Sequence, residues 1–350
     1  MRDIRLLLLF CSPENPNRLK AIINSLDGKR TVSNLFFALS AGIMPYFGAF
    51  HEISVPDPKE AVSTLTAAGL ITSDQDMLVT LTEKGREYRN KLRNRFEPLN
   101  WIETASKFDV VTFKKRFILA LQVISEFSYD NNRYYPSSID FFNNNIVKKW
   151  FINYKDNDVV TRVHKELESL LDNFSNQKYA DIFAQSFVGH EVSGHTNDQI
   201  GIETNESAER IAVIQFMVMA SMVTMIIDKP NSVFKPLLSG LIKPQISGST
   251  EVTYRQFVNN STLSLERIAD LRHIKVNTVK EHLIEAAMVV PQPSDIFSRL
   301  ISDKNDDILN QVIQQHPEWT RFINLSKFAP DVPFMQARLF QIKRIRANEA

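Results

Sequence analysis

Apolar residues recur three and four apart along most of this chain, separated by Asn, Asp, Pro and Gly breaks. That spacing predicts a succession of amphipathic helices rather than strands. Between residues 17 and 69 it predicts helices in NRLKAIINSL, RTVSNLFFALSAGIMPYF and PDPKEAVSTLTAA. The last starts after Pro56 and Pro58, carries Ala61, Val62, Leu65 and Ala68 on one side and stops at Gly69. Two short apolar runs follow, LIT and MLVTLT, separated by the polar SDQD, and then the helical KGREYRNKL. From about 100 to 250 the pattern is helical throughout, in FDVVTFKKRFILALQVISEFS, SSIDFFNNNIVKKWFINY, DVVTRVHKELESLLDNFS and QKYADIFAQSFVG. After a break at PQISGSTEVT, two short helices are predicted in SLERIADLRHIKVNTVKEHLIEAAMVVP (264 to 291), two more near 294 to 313 and 316 to 328, and then a basic tail.

These elements predict a mostly α protein in three parts. An N-terminal winged helix over 1–97 is expected from helices succeeded by a two-stranded hairpin, and AAGLI…VTLTEKGREY looks like the end of many winged-helix domains. A helical bundle over 98–248 and a helix-turn-helix domain with a helical extension over 249–350 complete the expectation. No internal repeat of fixed period is present.

Composition agrees with helix. Glycine is scarce, 10 in 350 residues against a usual share of about 7%, and phenylalanine is abundant at 24. A single cysteine, Cys11, excludes an intrachain disulfide and fits a reducing cytoplasm. The apolar run LLLLFC near the start is shorter than the core of a secretion signal, and Phe10 stands where a cleavage site wants a small residue. The longest apolar run, IAVIQFMVMASMVTMII (211 to 227), includes Gln215 and Ser221 and falls short of the ~20 residues of a membrane span. It follows TNESAER, a capped helix start, so a buried core helix is expected, and no membrane association.

With 41 basic and 40 acidic residues, the chain has no global field to hold a polyanion, so nucleic-acid contact must be local. Positive charge concentrates in KGREYRNKLRNR (84 to 95), with six cations against Glu87, and in the tail QIKRIR. On a helix Arg86, Arg89 and Arg93 share a face that, with Arg95, could follow a phosphate backbone without reading bases. A solvated helix face explains the same run equally well. HEVSGH, His190 to His195, resembles a zinc-protease signature, but its histidines are five apart rather than four. On a helix that puts the rings ~140° apart, so structural or loop histidines are expected and no metal. No phosphate loop or nucleophile signature occurs, and neither an enzyme, a cofactor nor a small-molecule substrate is expected.

The strongest pattern is that of 264 to 291. Leu265, Ile268 and Ala269 mark one helix, Leu271, Ile274 and Val276 a turn, and Val279, Leu283 and Ala286 a second helix. With the small Ala269 at their crossing, these make a helix-turn-helix. Many such motifs place glycine in the turn, where this chain has His273. The stretch IADLRHIKVNTVKEHL resembles the helix-turn-helix domain near the C-terminus of some RecQ-type helicases, with Ile268-Ala269, Arg272, Asn277-Thr278-Val279 and His282-Leu283 in the expected places. The whole layout is similar to the free-standing YpbB-like proteins of Gram-positive bacteria. The motif match spans some 28 residues, and over the rest the agreement is one of layout. The resemblance implies a non-enzymatic companion of a RecQ-type DNA helicase. A second resemblance, to the DNA-reading domain of LuxR-type regulators, implies instead a sequence-specific transcription factor, but there the domain usually ends the chain, and here about 60 residues follow.

Taking Val279, Leu283 and Ala286 as the buried face sends Asn277, Glu281, Ile284 and Met288 outward, with Glu285 beside them. Of these only Asn277 suits base reading. Two glutamates repel phosphate and two apolar side chains invite a protein, so these five residues are the expected partner face. Arg272 and Lys280 could touch phosphate from the flanks. Residues 251 to 291 hold five basic and five acidic side chains, so DNA attraction is expected to be weak and non-specific. Likewise DPKEAVSTLTAA, the would-be recognition helix of the winged helix, has one Lys against an Asp and a Glu.

Overall fold

A computed structural model describes residues 4–53, 56–75, 77–95, 100–137, 140–156, 158–316 and 325–349. It is mostly helical. In chain order the helices are α1 (Leu19–Leu26), α2 (Val32–Ser40), α3 (Pro58–Ala67), α4 (Glu83–Arg95), α5 (Asn100–Lys107), α6 (Val110–Ser128), α7 (Phe141–Tyr154), α8 (Val159–Asp172) and α9 (Gln177–Ala184). There follow α10 (Asn197–Thr204), α11 (Ala208–Asp228), α12 (Gly248–Asn259), α13 (Leu265–Arg272), α14 (Val276–Val289), α15 (Ser294–Leu300), α16 (Asp303–Gln315) and α17 (Phe334–Glu349). Three short strands, β1 (Asn17–Arg18), β2 (Ile71–Ser73) and β3 (Leu78–Leu81), form an antiparallel sheet with β3 in the centre.

The chain divides into two compact units, 1–27 with 48–243 and 28–47 with 244–350. This differs from the three-part expectation in two ways. The N-terminal elements join the central bundle in one unit, because Phe50 stacks on Trp101 at 6.2 Å and Trp101 meets Phe216 at 6.4 Å. Residues 28–47 leave that unit altogether, since the apolar side of α2, with Leu35 and Leu39, is buried in the core of α12 to α17.

In the first unit, Ile4–Phe10 form a 3-10 helix whose Leu6, Leu7 and Leu8 are buried. Cys11 follows, and burial pushes its thiol up to about 12. The apolar run of 211 to 227 is α11, the central helix, with α5, α6, α9 and α10 packed around it. It is long and apolar enough to cross a membrane, but Ile211, Met219, Val223 and Ile226 are fully buried within the unit. Ser207 caps it by accepting from the Arg210 backbone N–H. A second knot of rings, Phe117 between Phe113, Phe183 and Phe234, lies under α6. There buried Arg116 donates to Asn143 Oδ1 at 2.7 Å and to the carbonyls of Leu237 and Ser239 at 2.8 and 2.7 Å.

Neither histidine of HEVSGH is on a helix: His190 lies in a turn closed by backbone pairing of Gly189 with Val192, and His195 in the irregular stretch that follows. His190 Nδ1 is 2.9 Å from the buried Glu126 Oε2, which holds that carboxyl below the usual carboxylate range, and His195 Nδ1 is 3.3 Å from Glu203.

In the second unit, α14 packs against α12 and α13 and also against α2, α15 and α17. Two of the expected C-terminal features change. Of 316 to 328, residues 317–324 lie outside the described residues, and 325–327 form a single 3-10 turn. The basic tail is a helix, α17, because Leu339, Phe340, Ile342 and Ile345 bury against the unit's core. Its cations are turned to internal use: Arg346 donates to the carbonyls of Met288 and Pro291 at 2.9 and 2.8 Å, closing the end of α14, and Arg338 lies 3.7 Å from the Phe36 ring. Burial lowers the Arg338 guanidinium to about 10.

Candidate nucleic-acid interface

Residues 248–289 supply three helices with a tight turn between the second and third. Ser247 caps α12 and Ser264 caps α13, each side-chain oxygen accepting a backbone N–H three residues on. α13 ends where His273 takes the left-handed conformation, φ 52°. Ile274 N then donates to Ala269 O at 3.1 Å and His273 N to Asp270 O at 3.2 Å, satisfying the last carbonyls of the helix. Histidine thus fills the place that favours glycine, at a steric cost. We expect His273→Gly to raise stability by about 0.5–1 kcal/mol after glycine's greater unfolded-state freedom is subtracted, seen as a higher urea midpoint.

Arg272 and His282 tie the three helices together. Arg272 donates to Ser249 O at 2.7 Å and to the Thr253 hydroxyl, and Thr253 Oγ1 lies 2.7 Å from His282 Nδ1. Burial first and the Arg272 charge second hold the His282 imidazole below its ordinary 6.5. Arg272, expected at phosphate, is therefore engaged as a brace between α13 and α12.

The expected partner face is not a face. Asn277 and Glu281 are exposed, but Ile284 is 3%, Glu285 8% and Met288 2% exposed. A single buried stripe on α14 was the premise, and α14 has two: one meets α12 and α13, the other α2 and α17. Glu285 is a hub inside the unit. Its Oε1 accepts from Arg30 Nη2 at 2.7 Å and from Ser247 N at 3.2 Å, and its Oε2 from the Thr250 hydroxyl at 2.7 Å. Arg30 also donates to Gln245 O at 2.7 Å, so residues 28–47 are clasped to α12 and α14.

What remains open to solvent is the first turns of α14 with the side of α13. Lys275, Asn277 and Glu281 are exposed, Thr278 and Lys280 half-buried, and Arg267 exposed on α13. Lys275 at the N-cap makes no side-chain cap, which leaves backbone N–H groups at the positive end of α14 for an anion. Lys275 and Arg267 were not among the expected contacts; their signal was position, at the helix end that a helix-turn-helix points toward the groove.

The second expected cationic face, on α4, is broken. Arg86 and Arg93 are exposed, and Arg86 lies 4.0 Å from Glu83. Arg89 is turned inward, its Nη1 donating to Cys11 O at 3.2 Å. Burial, then the neighbouring Arg93, lowers its guanidinium. The side chain of Arg95 lies outside the described residues.

Residues 249–341 match the family of helix-turn-helix domains, which covers this interface and α12 to α16 with the first half of α17, but not α2. Over a longer span the chain is similar to protein YpbB of Bacillus subtilis (strain 168), 22% identical over 293 residues, 83% of this chain and 82% of that one. No solved structure matches. A helix-turn-helix domain in this position suggests DNA binding.

Proposed function

We propose that this protein is a non-enzymatic accessory factor of a RecQ-type DNA helicase, working in the cytoplasm and touching DNA weakly and without sequence preference through the start of α14. The observation that carries the reading is the use of charge in the second unit. Arg30, Arg272, Arg299, Arg338 and Arg346 are engaged with carbonyls, carboxylates or rings inside it. Lys275, Lys280 and Arg267 are left near the groove-facing end, opposed by Glu281 and Glu266. Two or three cations correspond to a log–log salt slope of roughly −2 to −3, too little for tight binding at physiological salt. Similarity to YpbB over most of the chain favours a shared role for the whole protein rather than a lone DNA-reading domain.

We further read the N-terminal elements as a winged helix with α2 diverted from it. The order 3-10 helix, β1, α1, α3, β2, β3 and the central place of β3 support this. The hairpin β2–β3 would be the wing.

A competing reading is a sequence-specific regulator, which Asn277, exposed on the second turn-helix element, favours. Fluorescence anisotropy with random duplex and forked DNA, over a salt series, separates the two. The accessory reading expects weak, salt-sensitive binding that Lys275→Ala with Lys280→Ala reduces on every sequence alike, and co-purification with the host's RecQ-type helicase. Strong preference for one duplex, lost on Asn277→Ala, would establish the regulator instead.

A further inference from the structure

The first unit displays large aromatic side chains to solvent in one place. Tyr135 is 96%, Phe141 82% and Phe142 66% exposed. Rings of this size normally bury, so three together on a surface signal a binding role. They are not on a loose strand. Buried Gln122 of α6 grips the loop that carries Tyr135, donating to Tyr135 O at 3.0 Å and accepting from Ser137 N at 2.7 Å. Earlier in that loop Asn131 donates to the buried Glu126 at 2.6 Å and accepts from Arg133 N at 3.0 Å. At its far end Asp140 caps α7, accepting from Asn143 N at 3.1 Å and Asn143 Nδ2 at 2.8 Å.

The packing also sets the rings in a row. α6 and α7 run parallel: Arg116 bonds Asn143 near their starts, with its guanidinium 6.0 Å from the Phe142 ring, and Phe127 meets Phe151 at 5.2 Å near their ends. The loop returns along α6, so Tyr135 sits beside Gln122 and Phe142 beside Arg116, about 9 Å apart along the helix axis. On α7 the exposed positions Phe141, Phe142, Lys148, Lys149 and Ile152 fall on one side, and no acidic residue occurs between 141 and 154. Arg133 and Lys115 are exposed beside the loop.

We propose that this surface, loop residues 129–137 and Asp140 with the outer face of α7, binds single-stranded DNA. Bases stack on Tyr135, Phe141 and Phe142, and the backbone phosphates follow Arg133, Lys115, Lys148 and Lys149. Rigidly held aromatic faces alternating with cations, without acids along the helix, are what unpaired bases and their phosphates require. An acidic protein partner could also meet the lysines, but three flat exposed rings set along α6 and the start of α7 match stacked bases better. DNA is the strand chosen because the same chain carries a helix-turn-helix domain at 249–341. The surface itself is argued from the first unit alone, the choice of DNA rests on the helix-turn-helix match, and neither depends on the helicase reading.

The test is anisotropy of the full-length protein with fluorescein-labelled oligo(dT) and oligo(U), each about thirty nucleotides, long enough for two or more typical binding sites. Tyr135→Ala and Phe141→Ala should each weaken oligo(dT) binding about tenfold. Lys148→Glu with Lys149→Glu should flatten the salt slope by about 0.7 per lysine. All four positions are exposed, so melting temperatures should not move. Lys275→Ala with Lys280→Ala should lower duplex binding and leave oligo(dT) binding intact, which separates failure here from failure of the helix-turn-helix proposal. Absent oligo(dT) binding, binding indifferent to the ring substitutions, binding of oligo(U) alone, or loss of oligo(dT) binding in the α14 variant would each overturn the assignment. So would capture of a purified protein partner by this face with no binding of oligo(dT).

Discussion

Ile284→Asp unfolds the second unit. Ile284 is 3% exposed in the core shared by α2, α12, α14 and α17. An unpaired charge in such a place costs more than ~4 kcal/mol, a large part of the stability of a small domain. Urea titration followed by circular dichroism should lose the transition of that unit while retaining the other. Met288→Asp should act alike. A variant that melts like the parent would mean that this side of α14 faces solvent after all.

Glu285→Ala comes next in size. It leaves Arg30, Ser247 N and the Thr250 hydroxyl without their shared acceptor. Removing one partner of a buried pair costs ~3–5 kcal/mol, and the partial exposure of Arg30 brings the expectation down to about 2–3 kcal/mol. Arg30→Ala should cost a similar amount, and the double variant less than the sum, because both remove one clasp. Strict additivity in that cycle would show that the two side chains do not act together.

Both expectations concern residues whose place was hard to see in the sequence. Ile268, Ala269, Val279, Leu283 and Ala286 were readable as core because one partner layer imposes a spacing of three and four, and all are buried. Ile284, Ala287 and Met288 occupy the opposite side of the same helix, and local periodicity alone cannot say whether a second apolar stripe meets another helix or a partner protein. The answer lay more than 240 residues away, in Leu35 and Leu39 of α2. The charges misled for a related reason. Arg89, Arg272 and Arg346 are cations in sequence, but each donates to a carbonyl in the fold, and composition does not distinguish a guanidinium that closes a helix end from one that awaits phosphate. What did survive is local: the turn at 273, the capped start of α11, and the non-helical placing of His190 and His195. The aromatic row escaped the sequence because helical spacing does not report that Gln122 holds Tyr135 outward.

The chain passes from the first unit to the second at residue 28, returns at 48 and crosses again at 244. During synthesis α2 therefore emerges early and its core late. With roughly 300 residues still to be made at about 5–20 per second, Leu35 and Leu39 wait some 15–60 s for α12, α14 and α17 all to exist. The result is a ribosome-bound chain whose apolar helix α2 has no core to cover it until the second unit is made. The same interleaving means that a fragment beginning at 244 lacks α2 and Arg30, so the helix-turn-helix unit is portable only if residues 28–47 travel with it.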